Sequence, residues 1–180
     1  MQALFYMDMR EAGAEECLAL FCRSHPPGKK AMPLFLKLVN GVVHARDRID
    51  GVIESVSSHW KVSRMSGVDR NVLRIAVFEI LCCEDIPAKV SINEAIDIGK
   101  RFGTDESGSF INGILDSIHS AAEKKEVRID VDIPEPVMPL GGGEIQPGEG
   151  KTAPVVPLVA PVRGRRGVVR RRKLGPSDET

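Results

Sequence analysis

The sequence lacks any net charge, because its 25 lysine and arginine side chains balance 25 aspartate and glutamate side chains over 180 residues. A nucleic-acid or membrane partner therefore cannot be inferred from overall electrostatics, and only the distribution of the charges carries information. The chain also lacks an apolar run of about 20 residues, the length that crosses a bilayer. Residues 1–9 lack the basic segment and long apolar core of a signal peptide. These absences predict a soluble, cytoplasmic protein without a membrane partner.

Cysteine motifs are missing as well. The four cysteines, Cys17, Cys22, Cys82 and Cys83, include no C-x-x-C spacing and no histidine-rich neighbour of the kind that binds zinc. Cys82 and Cys83 end an apolar run, which is typical of buried free thiols in a reducing compartment. We therefore expect no metal and no disulfide framework.

The enzymatic motifs that the sequence suggests are incomplete. Residues 147–152 end like a phosphate-binding loop, but Ile145 stands where that loop requires its first glycine. Pro154 and Pro157 block the helix that should follow. The four histidines are far apart in sequence and show no spacing typical of a metal site or a catalytic triad. The sequence thus predicts a protein that is not an enzyme and needs no cofactor.

The composition changes after residue 125. Eight of the twelve prolines fall between positions 134 and 176, and Gly141, Gly142 and Gly143 are consecutive. Such a segment buries too little apolar surface to offset the entropy lost on ordering. We therefore predict a folded domain over residues 1–125 and a disordered tail over residues 126–180.

The folded part shows helical periodicity and no strand alternation, so it is predicted to be all-α. Apolar residues recur over 35–42 and 49–56, which is compatible with one kinked helix or with two. Ser66 has the spacing of an N-cap residue relative to Asp69, and residues 68–81 are apolar around nearly the whole helix, as in the centre of a bundle. A further helix is predicted from Pro87 to a stop at Gly103, and a last one from about residue 107 to 118.

The tail contains a dense basic cluster without an acidic residue between positions 163 and 173. A flexible cluster of this density attracts polyphosphate with little sequence preference. A solubilising tail without a dedicated ligand is the alternative, and the sequence leaves both open. The basic cluster consists of Arg163, Arg165, Arg166, Arg170, Arg171, Arg172 and Lys173.

Three stretches resemble the NusB transcription antitermination family in order and spacing. They are Val68–Glu79, Ile86–Gly103 and Ser107–Asp116, with a weaker similarity over Gln2–Phe5. The resemblance covers about residues 1–120 and implies a compact bundle of about seven helices in two halves. It also implies binding of single-stranded boxA-type RNA together with the ribosomal protein NusE, in association with elongating RNA polymerase. Some members are thought to self-associate through the RNA surface, so a homodimer is left open.

The same resemblance implies a set of RNA-binding residues. In single-stranded RNA recognition, aromatic rings stack on bases and arginines contact phosphates. For Arg74, an ion pair with Glu79 or another carboxylate inside the bundle is equally open. Phe110 is equally compatible with a core position, and Ser107 and Asn112 with bracing between helices. The implied residues are Phe5, Asp69, Arg70, Arg74, Glu106, Ser107, Phe110 and Asn112.

The sequence departs from the family at its start. The arginine-rich segment that normally precedes the first helix is absent, and the first basic residue is Arg10. A start codon farther upstream and a different mode of RNA binding both account for this, and the basic cluster is a candidate substitute. Two alternative functions remain: a protein-interaction bundle with reduced or lost RNA binding, and a stand-alone relative of the RNA-binding domain of ribosomal RNA cytosine methyltransferases.

Overall fold

A computed structural model describes residues 1–10, 12–57 and 60–129. Within these ranges the chain forms helices and no strand, which confirms the predicted all-α fold. Only residues 126–129 of the predicted tail are described, so the tail and its basic cluster lie outside the described residues. The seven α-helices are α1 (Gln2–Asp8), α2 (Ala14–Ser24), α3 (Met32–His44), α4 (Arg46–Val56), α5 (Gly67–Cys82), α6 (Ala88–Phe102) and α7 (Ser107–Glu123), and a short 3-10 helix (Val62–Arg64) precedes α5.

Helix α5 lies at the centre of the bundle. It contacts α1, α3, α4, α6 and α7, and it buries Leu73, Val77 and Phe78 almost completely. A helix with neighbours on most sides is apolar around most of its circumference, because little of it reaches water. The prediction that residues 68–81 form the central helix is therefore confirmed.

Residues 32–56 form two helices and not one kinked helix. Ala45 alone separates α3 from α4, and its backbone stays close to helical, with φ −93° and ψ 10°. Its N–H donates to the Gly41 carbonyl, and its own carbonyl accepts from Ile49, so hydrogen bonding continues across the junction. Gly41 is not the boundary. It is buried in α3 beside the ring of Phe78, where a Cβ atom would overlap that ring.

The predicted ends of α5 and α6 are also found. The backbone N–H of Asp69 donates to Ser66 Oγ at 3.0 Å, which satisfies one of the free amides at the start of α5. Helix α6 follows Pro87 and stops before Gly103. Thr104, in the turn that follows, donates its N–H to Ser107 Oγ at 2.9 Å, which ties this turn to the first residue of α7.

Helix α2 is the element that the sequence analysis missed. Its buried side chains are Cys17, Leu18 and Phe21, and the partly buried Ala14 and Cys22 continue the same face at helical spacing. Phe21 connects it to its neighbours, since its ring lies 5.9 Å from the Tyr6 ring of α1 and 6.1 Å from the Phe35 ring of α3. The apolar spacing of α2 was thus present in the sequence but was not assigned to a helix.

Candidate nucleic-acid interface

A buried ion-pair centre joins α1, α4 and α5, and it contains one of the predicted RNA-binding residues. Arg74 is only 4% exposed in its side chain. Its Nε and Nη2 atoms donate to the two carboxylate oxygens of Asp50, each at 2.7 Å. Arg74 Nη1 also lies 3.4 Å from Asp8 Oδ2. Of the two interpretations of Arg74, the structure therefore supports an ion pair inside the bundle, with Asp50 and Asp8 and not with Glu79. The predicted contact of Arg74 with RNA stays a prediction.

Asp8 accepts hydrogen bonds from several residues of this centre. Its Oδ2 accepts from Arg70 Nη2 and from Asn71 Nδ2, each at 2.9 Å, and its Oδ1 accepts from Arg46 Nη2 at 3.0 Å. Burial alone would raise the pKa of this carboxyl, but hydrogen bonds from Asn71 and Arg70 and the charges of Arg70 and Arg74 outweigh burial, so the pKa is lowered. Asp8 is therefore an ionised, fully bonded anchor for α1.

The ion-pair centre carries surplus positive charge toward solvent. Three guanidinium groups, those of Arg46, Arg70 and Arg74, face two carboxylates, those of Asp8 and Asp50. Arg46 is 50% exposed and Arg70 is 20% exposed in the side chain. Because a guanidinium group has five donors in a planar fork, an exposed edge remains able to bind a phosphate. The sequence analysis proposed Arg70 but missed Arg46, whose approach to Asp8 spans 38 residues of chain.

Two more predicted residues lie next to this centre. The half-buried ring of Phe5 packs onto Gly67, the first residue of α5, where a Cβ atom would come within 2.6 Å of the ring. Asp69 is 8% exposed, and its Oδ1 atom has no hydrogen-bond partner among the described residues. Phe5, Asp69 and Arg70 are thus brought together at the start of α5.

The remaining predicted residues line the start of α7. Glu106 is exposed, whereas Ser107 is buried and bonded to Thr104. Asn112 donates through Nδ2 to Asp116 one turn later, at 2.9 Å. The Ser107 contact is a cap at the start of α7, whereas the Asn112 contact lies within α7 and braces no second helix. Glu106 and Phe110 keep accessible surface.

Phe110 is paired with an aromatic residue that the sequence analysis did not select. Its ring centroid lies 5.6 Å from that of Trp60, with the planes 71° apart. Trp60 is 53% exposed, which is unusual for so large an apolar side chain. No periodicity marks Trp60, because it lies in the connection between α4 and α5. The one sequence signal for Trp60 was that it is the single tryptophan of the chain.

Potential metal ligands are dispersed over residues 1–10, 12–57 and 60–129. No three histidine, cysteine, aspartate or glutamate side chains in this part of the chain are grouped to hold a metal. Burial raises the pKa of the Cys82 thiol to about 11, so it stays protonated at neutral pH. The helices of the described part include none long and apolar enough to cross a membrane.

Known proteins are similar to this chain in sequence and in fold. The sequence model of the NusB family matches residues 1–120. A transcription antitermination protein NusB of Desulfatibacillum aliphaticivorans is 56% identical over 126 residues, which are 70% of this chain and 88% of that protein.

Solved structures of NusB proteins have a similar fold. The structure of T. maritima NusB is 39% identical and aligns with a TM-score of 0.61, over 70% of this chain and 91% of that chain. A structure of the antitermination factors NusB and NusE in complex with dsRNA is 27% identical, with a TM-score of 0.58 over 66% of this chain and 89% of that chain.

The seven-helix bundle described above is therefore the fold of the NusB antitermination factors. The chain belongs to the NusB family. The predicted family, its helical bundle and the predicted role in transcription antitermination are confirmed.

Proposed function

We propose that this chain is a non-enzymatic antitermination factor of the cytoplasm, which binds single-stranded boxA-type RNA together with NusE and acts on elongating RNA polymerase. The observation that carries the proposal is the match to the NusB family over residues 1–120. The similarity to the NusB chain of the complex with NusE and dsRNA supports NusE and RNA as partners, and the RNA of that complex is double-stranded. The local chemistry agrees, since the same domain carries exposed guanidinium edges and an exposed aromatic pair.

A titration of labelled boxA-type RNA tests this function. The full chain should retard single-stranded boxA RNA in a gel, and purified NusE should strengthen the binding. A scrambled RNA of the same length and the boxA sequence as a duplex serve as controls. A chain that binds NusE but no RNA would favour the protein-interaction bundle, and the absence of binding to either would contradict the proposal.

The basic cluster gives a further prediction about this RNA. Replacing its seven basic side chains, Arg163, Arg165, Arg166, Arg170, Arg171, Arg172 and Lys173, with serine should weaken boxA binding and flatten its salt dependence. Each phosphate contact on single-stranded RNA contributes about 0.7 to the slope of log K against log salt. Losing all seven would therefore reduce the slope by about 5.

The measurement is the boxA affinity at several salt concentrations for the intact chain, the serine variant and a chain ending at residue 125. The serine variant keeps the length of the tail and isolates the effect of charge. Affinity and slope that are the same in all three proteins would show that the basic cluster does not substitute for an arginine-rich start.

A further inference from the structure

The pair formed by Trp60 and Phe110 is an exposed aromatic surface in polar surroundings. Four large apolar side chains are more than a third exposed in the described part of the chain, and they are Met9, Leu34, Trp60 and Val90. They lie on different segments, so they do not form one extended apolar face of the kind that docks a protein helix. Trp60 alone among them has an aromatic neighbour with accessible surface.

The geometry of the pair leaves ring faces open. In an edge-to-face contact with planes 71° apart, the edge of one ring covers a single face of the other. The exposure of Trp60, 53%, shows that its ring is largely uncovered by the rest of the bundle. An uncovered aromatic face attached to a rigid domain is the element on which an unpaired base stacks.

The backbone holds Trp60 in place. The N–H of Trp60 donates to the Ser57 carbonyl at 3.0 Å. The Ser57 hydroxyl lies 3.0 Å from the Trp60 carbonyl and 2.7 Å from the Ile53 carbonyl, and its single hydrogen is donated to one of them. The next residue, Lys61, pairs through Nζ with Glu54 Oε2 of α4 at 3.0 Å. The Trp60 backbone is therefore tied to Ser57 at the end of α4, which lowers the entropy lost when a ligand stacks on the ring.

The charge near the pair favours a nucleic acid. Lys61 and Arg64 flank Trp60 on the α5 side and are both exposed. On the other side, the exposed Lys100 of α6 lies along Gly108, two residues before Phe110. Glu54 pairs with Lys61 at 3.0 Å. Beside the exposed carboxylates of Asp105 and Glu106, the cations that can meet an anionic backbone are therefore those of Arg64 and Lys100. A planar ligand with an anionic backbone satisfies both the aromatic faces and the cations.

We infer that Trp60, together with Phe110, forms a stacking site for an unpaired base of single-stranded RNA, so that Trp60 is a binding residue of this chain. The inference rests on the proposed function and adds the residue that receives the base. A base in a duplex has both faces covered by its neighbours, so the site discriminates against double-stranded RNA except at its ends.

The chain carries its own probe for this site, because Trp60 is its single tryptophan. Titrating the full chain with single-stranded boxA-type RNA should quench tryptophan emission in parallel with the retardation of labelled RNA. The same RNA annealed into a duplex should leave the emission nearly unchanged. Purified NusE added alone serves as a third arm, in which the emission should also stay unchanged.

Substitutions test the site independently of fluorescence. Trp60→Leu should raise the Kd for single-stranded RNA about tenfold, since it removes an aromatic face on which a base stacks, and Trp60→Phe should recover most of the affinity. Leu34→Ala, at an exposed apolar position of α3, is the matched control and should bind normally. Circular dichroism and thermal unfolding establish that each variant is folded.

The outcomes separate the two proposals. RNA binding without quenching, or with equal affinity for Trp60→Leu, would overturn the stacking site and leave the proposed function intact. Quenching by NusE alone would assign this surface to a protein partner and also overturn the inference. A chain that binds no RNA under any condition would overturn the proposed function as well.

Discussion

Replacing Asp8 with alanine should destabilise the domain by about 3 kcal/mol, the largest effect that we expect from one substitution. Asp8 accepts hydrogen bonds from three arginines and from Asn71, and its side chain is only 7% exposed. Removing one member of a buried ion pair leaves the other charge without compensation, which costs roughly 3–5 kcal/mol. The lower end applies here, because Arg74 keeps its two bonds to Asp50. Urea denaturation followed by circular dichroism measures the change.

An exposed ion pair provides the control for this prediction. Asp85 lies 2.9 Å from Lys37, and the two side chains are 69% and 40% exposed. Exposed pairs contribute about 0–1 kcal/mol, because water and salt screen them. Asp85→Ala should therefore be nearly neutral. Equal losses for Asp8→Ala and Asp85→Ala would show that the buried centre contributes no more than a surface pair.

The same carboxylate makes stability depend on pH. The pKa of Asp8 in the folded protein lies below the ordinary value of 3.8. A group with a depressed folded pKa contributes stability that is fully present above its unfolded pKa and is lost as the pH falls through the folded pKa. The contribution of Asp8 should thus be constant at neutral pH and disappear below about pH 4. The difference in stability between the intact protein and Asp8→Asn should shrink over that acidic range.

The second large effect concerns the contact between α3 and α5. Gly41 is buried, and a methyl group there would overlap the ring of Phe78, which is itself 1% exposed. Phe78 has no free space to move into at the centre of the bundle, so Gly41→Ala should destabilise the domain by about 2–3 kcal/mol through overpacking. Thermal and urea unfolding of the purified variant measure the loss.

Gly51 in α4 is the matched glycine. A Cβ atom there would meet nothing within 4 Å, so Gly51→Ala should stabilise the domain by about 0.5–1 kcal/mol, the ordinary helix preference for alanine. The two substitutions are chemically identical and should have opposite signs. A stabilising Gly41→Ala would mean that α3 and α5 are not packed as closely as described.

Most helices could be predicted from the sequence, because the residues that begin and end a helix are close to it in sequence. Ser66 caps α5 through an amide three residues away, and Pro87 precedes α6 because proline fits the start of a helix. The apolar residues around nearly the whole circumference of 68–81 predicted directly that this helix lies in the centre of the bundle. Helix α2 was not predicted, although positions 14, 17, 18, 21 and 22 have helical spacing. Only the contacts of Phe21 with the Tyr6 and Phe35 rings of other helices lie beyond local pattern.

The candidate site was less predictable because its contacts are distant in sequence. Arg74 meets Asp50 and Asp8, which lie 24 and 66 residues away, and no spacing rule connects such positions. Trp60 meets Phe110 across 50 residues of chain, from a connection that has no periodicity of its own. Resemblance to the family supplied Phe110 but not Trp60. The one signal for Trp60 in the sequence, its being the single tryptophan of the chain, was not used.

Transcription through a terminator tests the central claim most directly. A template with a boxA element upstream of the terminator should be transcribed by purified RNA polymerase with NusE and a cell extract depleted of NusB, with and without this chain. Addition of the chain should increase read-through on the boxA template and leave a template with a scrambled element unchanged. Equal read-through with and without the chain on both templates would contradict the claim that it is an RNA-dependent antitermination factor.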